Sequence, residues 1–182
     1  MGWRSLQFFS LATSLFVFGV SLHSSPAYAL NFTDVDRNNL STSDGHVTIV
    51  AMAKEADLDK VRRLGDRVPD FCLGDPTYRL ITLVVFEENH SPPVRALAEA
   101  LARRRLDAEA RRLQVRYTTR KITRNPRSDV YAVLDFDGTI AQQLGAAANS
   151  TAFQIWVLDR KGKLLRHWDN VPSTGQLARV LR

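Results

Sequence analysis

The chain has 182 residues, a formal net charge of +6 and one cysteine, Cys72. This length suits one compact domain, and a lone cysteine excludes an internal disulfide, so the fold must depend on its hydrophobic core. The charge is concentrated, because residues 95–127 contain eleven arginines and lysines but only three acids. That excess of +8 is larger than the charge of the whole chain and predicts an electrically polarised molecule.

The first 29 residues have the layout of a secretory signal peptide. Arg4 supplies a positive start, residues 6–22 form an uncharged apolar stretch, and Ala27-Tyr-Ala29 provides a small-residue end. This arrangement predicts cleavage after Ala29 and export to the periplasm, the extracellular space or an equivalent lumen. An uncleaved membrane anchor is the alternative.

The remaining chain divides into a polar lead and one domain. Residues 30–45 are rich in Asn, Ser, Thr and Asp, a composition that predicts a mobile N-terminus for the mature protein. Residues 46–182 alternate apolar, β-branched runs with helical patterns. The predicted strands lie at 46–51, 80–86, 130–135, 153–158 and 163–168, and the predicted helices lie at 57–64, 94–113 and 140–144 and from 172 onward. This order predicts an α/β domain, a mixed sheet with helices on both faces.

Two of these helices carry end signals. Gly65 is expected to end the first helix. In the basic helix at 94–113, the apolar stripe shifts to another face at Arg103-Arg-Arg105. We expect a bend or break there, with Asp107 capping a second piece and an irregular strand over 114–122.

Three segments resemble the thioredoxin-like superfamily, especially its peroxiredoxin and TlpA-like branches. Residues 65–75 are similar to the G-D-x-x-P-D-F-x-L-x-D lead-in of those proteins, and residues 135–145 are similar to their D-x-D-G-x-x-A-x-x-L-G segment. Residues 156–165 look like their strand–D-x-x-G–strand hairpin. The resemblance implies a thioredoxin-like fold for residues 46–182.

The same resemblance carries an expectation about chemistry. Redox members place a reactive thiol in a turn between a strand and a helix, where the helix dipole stabilises the thiolate. The corresponding segment here, Phe86 to Val94, contains no cysteine. The loop before the strand at 153–158 also lacks the proline that many relatives hold there in the cis form. The resemblance therefore implies the fold without dithiol chemistry.

These two loops supply the candidate functional residues, namely Glu87, Asn89, His90, Ser91, Asn149, Ser150 and Thr151. His90 next to Ser91 offers an imidazole and a hydroxyl. Adjacent side chains seldom face each other, however, and no orienting acid is identifiable, so a capping or surface role is favoured over catalysis. The histidines show no metal-ligand spacing, and we predict neither a metal nor a cofactor.

Two other positions offer enzymatic alternatives. Cys72 lies in an apolar run and is interpreted as a small buried hydrophobe rather than a reactive thiol. The segment Asp135 to Thr139 matches the D-x-D-G-T signature of haloacid-dehalogenase-like phosphatases, with Asp135 as nucleophile and Asp137 as general acid beside Mg²⁺. Too little chain follows to supply the other groups of that site, so a turn is the preferred interpretation.

The arginine run suggests a partner. Arg103, Arg104, Arg105, Arg111 and Arg112 could contact an acidic protein or an anionic membrane surface, or they could form a merely solvated helix face. Aromatic residues are scarce among them, which disfavours specific nucleic-acid binding. The sequence therefore predicts an exported, thioredoxin-like, non-catalytic binding or scaffolding module of the cell envelope, with an atypical redox protein or a small phosphatase as alternatives.

Overall fold

A computed structural model describes residues 28–88, 90–147 and 152–182. Most of the predicted signal peptide thus lies outside the described residues. The helices and strands are β1 (Asn31–Thr33), β2 (Asn39–Ser41), β3 (Val47–Ala53), α1 (Leu58–Arg67), β4 (Tyr78–Val85), α2 (Pro92–Arg120), β5 (Val130–Asp135), α3 (Thr139–Gln143), β6 (Gln154–Leu158), β7 (Leu164–Trp168) and α4 (Thr174–Leu181).

The main sheet has the strand order β5-β4-β3-β6-β7. The strands β3, β4 and β5 are parallel, whereas β6 runs antiparallel to β3 and β7 antiparallel to β6. Helices α1 and α2 are the crossover connections that parallel neighbours require. The domain is therefore an α/β fold with a mixed sheet, and the predicted fold class is confirmed.

Apolar layers cover both faces of this sheet, because successive side chains of a strand point to opposite faces. Val50 and Met52 of β3 face a layer built from the β1–β2 hairpin and α3. Ile49 and Ala51 face α1 and α4. Helix α2 packs on the same face as α1, over β5, where Leu106 meets Ala132. Burial on both sides explains why the central strands are nearly continuous apolar runs.

The segment at 30–45, predicted to be mobile, is folded. Strands β1 and β2 pair antiparallel, and Phe32 and Leu40 are buried against the sheet. The carboxylate of Asp34 accepts hydrogen bonds from the backbone N–H groups of Asp36 (2.9 Å) and Asn38 (2.7 Å). The prediction was wrong because these polar residues form a turn, and two apolar anchors hold the hairpin.

Helix α2 is a single helix of 29 residues, and it has no break at Arg103–Arg105. Residues 114–120, predicted as part of an irregular strand, belong to the same helix. The apparent shift of the apolar stripe arises from two faces of one helix. Leu106, Ala110 and Tyr117 face the protein, whereas the apolar residues nearer the N-terminus face solvent. Helix α1 also continues past Gly65, to Arg67.

Candidate functional site

One edge of the sheet collects four connecting segments. Ala53 of β3 lies opposite Val84 of β4, Val85 lies opposite Asp135 of β5, and Met52 lies opposite Gln154 of β6. The segments that follow the three parallel strands, and the one that precedes β6, therefore meet at this edge. Binding sites of open α/β sheets commonly lie at the carboxyl ends of the parallel strands.

The two predicted loops do not lie on neighbouring strands. Strand β3 separates β4 from β6, so the segment facing the start of β6 is 54–57, rather than the loop after β4. Lys54 forms an ion pair with Glu87 (3.5 Å) and so connects the segment after β3 to the loop after β4. Of the predicted loop residues, Glu87, His90 and Ser91 lie at this edge, while Asn89, Asn149, Ser150 and Thr151 lie outside the described residues.

An aromatic cluster fixes the loop after β4. Phe86 stacks on Phe136 with ring centroids 4.6 Å apart, and the His90 ring contacts Phe86 at 5.2 Å. His90 Nδ1 donates to the Glu88 carbonyl (2.5 Å). Arg95 lies over the Phe136 ring at 5.0 Å, and its Nε donates to the His90 carbonyl. His90 therefore holds two loops together, a structural role.

The turn between β3 and α1, Lys54-Glu-Ala-Asp57, lies beside the start of β6, because β3 and β6 are neighbouring strands. Lys54 and Asp57 line a shallow cleft together with Lys60, Phe153 and Asp169. Lys60 pairs with Asp57 (2.9 Å) and lies 5.4 Å from the Phe153 ring centroid. The segment contains no thiol.

Sequence reasoning missed this segment. It selected the strand–helix turn at 87–93 because that turn has the stronger local pattern. Only the pairing of β6 with β3, between residues about a hundred positions apart, places 54–57 beside the start of β6. The similarity of 65–75 to a segment that opens the family's domain was a signal that the local alignment was displaced.

Cys72 lies away from this edge. It sits in a 3-10 turn that precedes β4, and its side chain is buried. Burial, together with the charge of Asp75, raises the pKa of the Cys72 thiol to about 12. Since the thiolate is the nucleophile, burial and the raised pKa both disfavour the reactive form of this cysteine at neutral pH.

Asp135 and Asp137 shape the turn before α3. Asp135 is buried, and its Oδ2 accepts a hydrogen bond from the Ala141 N–H (2.8 Å). Asp137 accepts one from the Thr139 N–H (3.1 Å). Burial raises the pKa of Asp135, whereas the Thr139 hydrogen bonds lower the pKa of Asp137. Both carboxylates thus bond to backbone groups of the turn, an arrangement suited to structure.

The five predicted contact arginines fall into two groups. The first group consists of three arginines with carboxylate partners. Arg103 donates to the Val35 carbonyl (2.7 Å) and pairs with Glu99. Arg105 pairs with Glu55 (2.7 Å), and Arg112 pairs with Asp66 and Glu109. Arg104 and Arg111 are exposed and make no ion pair with any residue that the structure describes. Only these two are available to an external anion without first breaking a bond.

Arg104 and Arg111 stand in a row of exposed apolar side chains. The outer stripe of α2 comprises Val94, Leu97, Leu101, Arg104, Ala108, Arg111 and Val115. Their spacing of three or four residues puts them on one side of the helix. Leu97 is 60% exposed and Val115 68% exposed. Four exposed apolar side chains in one row make this stripe a candidate interaction surface.

The described residues contain no group of three or more His, Cys, Asp or Glu side chains able to hold a metal ion. In the same part of the chain, no helix combines the length and the apolar character needed to cross a bilayer.

No protein-family model matches this sequence, and no curated protein does. The fold nevertheless resembles solved structures. The pneumococcal exposed lipoprotein thioredoxin of Streptococcus pneumoniae aligns with a TM-score of 0.53 and 13% identity, over 84% of this chain and 96% of its own. A DsbF homologue from Corynebacterium diphtheriae aligns with a TM-score of 0.53 and 14% identity, over 98% of each chain.

A thiol:disulfide interchange protein from Chlorobium tepidum gives a TM-score of 0.53 and 13% identity, over 89% of this chain and 97% of its own. At these identities the likeness establishes the fold. The protein has the thioredoxin-like fold that thiol–disulfide oxidoreductases share, and it has a single cysteine where dithiol exchange needs two.

Proposed function

We propose that the protein is an exported, non-catalytic binding module that docks on an anionic membrane surface through the outer stripe of α2. The outer stripe itself carries this proposal, because it joins exposed apolar side chains to two arginines without carboxylate partners among the described residues. A helix with this combination lies along a bilayer surface, with its apolar side chains among the acyl chains and its arginines at the headgroups.

The cysteine content supports a non-catalytic role. The turn facing β6 holds lysine, glutamate, alanine and aspartate in place of thiols. Cys72 is buried, with a pKa of about 12, and no second thiol is present to resolve a mixed disulfide. We therefore expect no insulin reduction by the purified protein. Turnover that disappears in Cys72→Ser would overturn this part of the proposal.

Export rests on the apolar stretch and the A-x-A end of residues 1–29. The Streptococcus pneumoniae protein of similar fold is an exposed lipoprotein, which is compatible with a location outside the cytoplasm. We place the mature chain in the periplasm or at an equivalent extracytoplasmic surface.

Vesicle binding tests the docking surface. The mature protein should sediment with phosphatidylcholine vesicles that contain phosphatidylglycerol, much less with phosphatidylcholine alone, and less as salt rises. Each arginine near an anionic surface contributes about 1 kcal/mol, so the double variant Arg104→Gln/Arg111→Gln should bind about 30-fold more weakly.

The matched control removes the same charge elsewhere. Arg160 and Lys161 are exposed in the turn between β6 and β7, and Arg160→Gln/Lys161→Gln should bind almost as well as the unaltered protein. Leu97→Ser should weaken binding, whereas Leu165→Ser, exposed on β7, should not. If Arg104→Gln/Arg111→Gln and Arg160→Gln/Lys161→Gln lose vesicle binding equally, net charge alone explains the binding and the docking surface is refuted. If the protein binds an acidic polypeptide such as polyglutamate more tightly than the vesicles, its partner is an acidic protein and the membrane proposal is wrong.

A further inference from the structure

A deep groove runs between α1 and α2 on the inner side of α2. Its cavity volume is about 660 Å³. Helix α1 covers the sheet near β3, and α2 covers it near β5, so the strand between them, β4, forms the floor. The floor side chains are Leu80, Thr82 and Val84. Leu80 and Thr82 are only half-buried, although they lie on the helix-covered face of a central strand.

The walls are mostly apolar. Helix α1 contributes Leu58 and Val61, and α2 contributes Ala98, Ala102 and Leu113, while Leu101 lies at the rim between the groove and the outer stripe. Buried faces of a domain normally pack at the density of organic crystals. A sheet floor left open between two helices, with one hydroxyl among apolar side chains, therefore has the character of a ligand groove. Its volume falls within the range of about 300–1,000 Å³ that such sites occupy.

Long side chains cross the mouth of this groove. Arg62 of α1 pairs with Glu109 of α2 (3.2 Å), and Arg112 of α2 pairs with Asp66 of α1 (3.5 Å). At the end nearest β3, Arg105 of α2 pairs with Glu55 (2.7 Å). These arginines are about half exposed, and ion pairs of that kind contribute only about 0–1 kcal/mol each. The helices are thus joined by contacts that a ligand can displace.

We propose that this groove binds the aliphatic chain of an anionic amphiphile, with the chain along β4 and the anionic head at the mouth arginines. The apolar walls require an aliphatic body, and the elongated floor between two helices suits a single unbranched chain. A carboxylate or phosphate head can replace the Glu55, Asp66 or Glu109 carboxylate as the partner of Arg105, Arg112 or Arg62, because a guanidinium binds such groups through paired hydrogen bonds. This inference goes beyond the proposed docking, which uses the outward side of α2.

Two probes with one chain and different anionic heads distinguish the sources of such a ligand. Dodecanoate represents a free fatty acid, and lauroyl-lysophosphatidylglycerol represents a lipid. Calorimetric titration of the mature protein below the micelle concentration should show binding of at least one of them. Dodecyltrimethylammonium, with the same chain and opposite charge, should bind at least 10-fold more weakly. Equal binding of the cation, or no binding of either anion, would overturn the proposal.

A matched pair of variants locates the site. Ala98 lines the groove, whereas Ala100 is exposed on the same helix and does not. Ala98→Trp should fill the groove and weaken anion binding at least 10-fold, while Ala100→Trp should leave it unchanged. Arg105→Gln should weaken it and Arg104→Gln should not. Loss in both members of either pair would show binding elsewhere.

An observation on the unaltered protein keeps the test independent of how Ala98→Trp folds. Nuclear Overhauser contacts should connect the bound chain to the methyl groups of Leu80 and Thr82, and their absence from a saturated complex would refute the groove. The vesicle assay separates the two proposals. Arg104→Gln/Arg111→Gln should retain dodecanoate binding, and Ala98→Trp should retain vesicle binding, so either proposal can fail alone.

Discussion

At the residue scale, a buried arginine ties the N-terminal hairpin to the sheet. Arg79 of β4 is 5% exposed. Its two terminal nitrogens donate to the carboxylate of Asp44, at 2.9 and 3.1 Å, and one of them also donates to Thr48 Oγ1. A buried guanidinium requires such a partner, because removal of the partner leaves an uncompensated charge in a low-dielectric site.

Asp44 should therefore make stability depend on acidity. Burial by itself raises the pKa of Asp44, but hydrogen bonds from Arg79 and His46 outweigh it and lower the value to about 2. A lowered carboxyl pKa gives stability that is present above the ordinary value of 3.8 and is lost as pH falls toward 2. After allowance for partial exposure, Asp44→Asn should cost about 1–2 kcal/mol at pH 7.

Urea unfolding at several pH values checks this expectation. The cost of Asp44→Asn should shrink between pH 4 and pH 2. The control is Asp59→Asn, since Asp59 is 77% exposed in its pair with Arg62, and its cost should stay within about 0.5 kcal/mol. A cost for Asp44→Asn that does not change with pH would contradict the assigned ion pair.

Asp135 should show the opposite dependence. Burial raises the pKa of Asp135 in the folded protein. The stability that depends on its protonated form is therefore fully present below the ordinary carboxyl pKa, and it is lost as pH rises through the pKa of the folded protein. Asparagine keeps an oxygen for the Ala141 N–H but cannot ionise. The unaltered protein should therefore lose stability relative to Asp135→Asn as pH rises from 4 to 8, measured by urea unfolding.

Asp137→Asn supplies the control for that series. Hydrogen bonds to Thr139 lower the pKa of Asp137, so the stability that Asp137 contributes is lost as pH falls. The pH dependence of stability is therefore opposite in sign to that expected for Asp135. The same experiment bears on the phosphatase alternative. Phosphate release that requires Mg²⁺ and disappears in Asp135→Asn would show a catalytic carboxylate where we infer a structural one.

At the element scale, α2 shows where sequence periodicity misleads. The apolar residues at 94, 97 and 101 fall on a different face from those at 106, 110 and 113, and that shift predicted a bend or break at Arg103–Arg105. The structure buries Leu106, Ala110 and Tyr117 and exposes the earlier set. A sequence does not state which of two apolar faces meets the core, and the surplus face is the one that the proposed docking uses.

Continuity of α2 through Arg104 can be measured. Glycine in a helix interior costs about 1 kcal/mol relative to alanine, and Arg104 is exposed, so packing should not mask the difference. Arg104→Gly should unfold at lower urea concentration than Arg104→Ala by about that amount. A break at this position would instead leave the two variants equally stable.

At the scale of the whole molecule, several arginines of residues 95–127 form ion pairs with acids from other parts of the chain, although the net charge stays at +6. Arg103 and Arg127 pair with Asp36, Arg105 with Glu55, and Arg116 with Asp70. The acids lie in the hairpin and around α1, far from the arginines in sequence. The composition reveals the excess of basic residues in 95–127. Only the fold shows which of these basic side chains have no carboxylate partner among the described residues.

The sequence predicted the five main-sheet strands within a few residues and the thioredoxin-like class, because buried strands and turns leave local patterns. It did not predict the strand order beside the candidate site. The pairing of β3 with β6 joins residues such as Val50 and Trp156, and no local propensity encodes that choice. Strand order decides which loops lie next to one another. The sequence therefore predicted the candidate site in the wrong loop, although it predicted the correct fold.

The last prediction concerns maturation. Cleavage after Ala29 would leave Leu30 as the first residue. It would keep β1 and the hydrogen bond from the Thr42 N–H to the Leu30 carbonyl (3.0 Å). It would also remove Tyr28, whose N–H donates to the Gly162 carbonyl (2.7 Å) and whose side chain packs against the core. We expect the intact mass of the exported protein to correspond to residues 30–182. Ala29→Arg, which removes the small residue at the cleavage position, should retain the precursor mass. Exported or membrane-bound unaltered protein that keeps Met1 would contradict the signal peptide and favour an anchor.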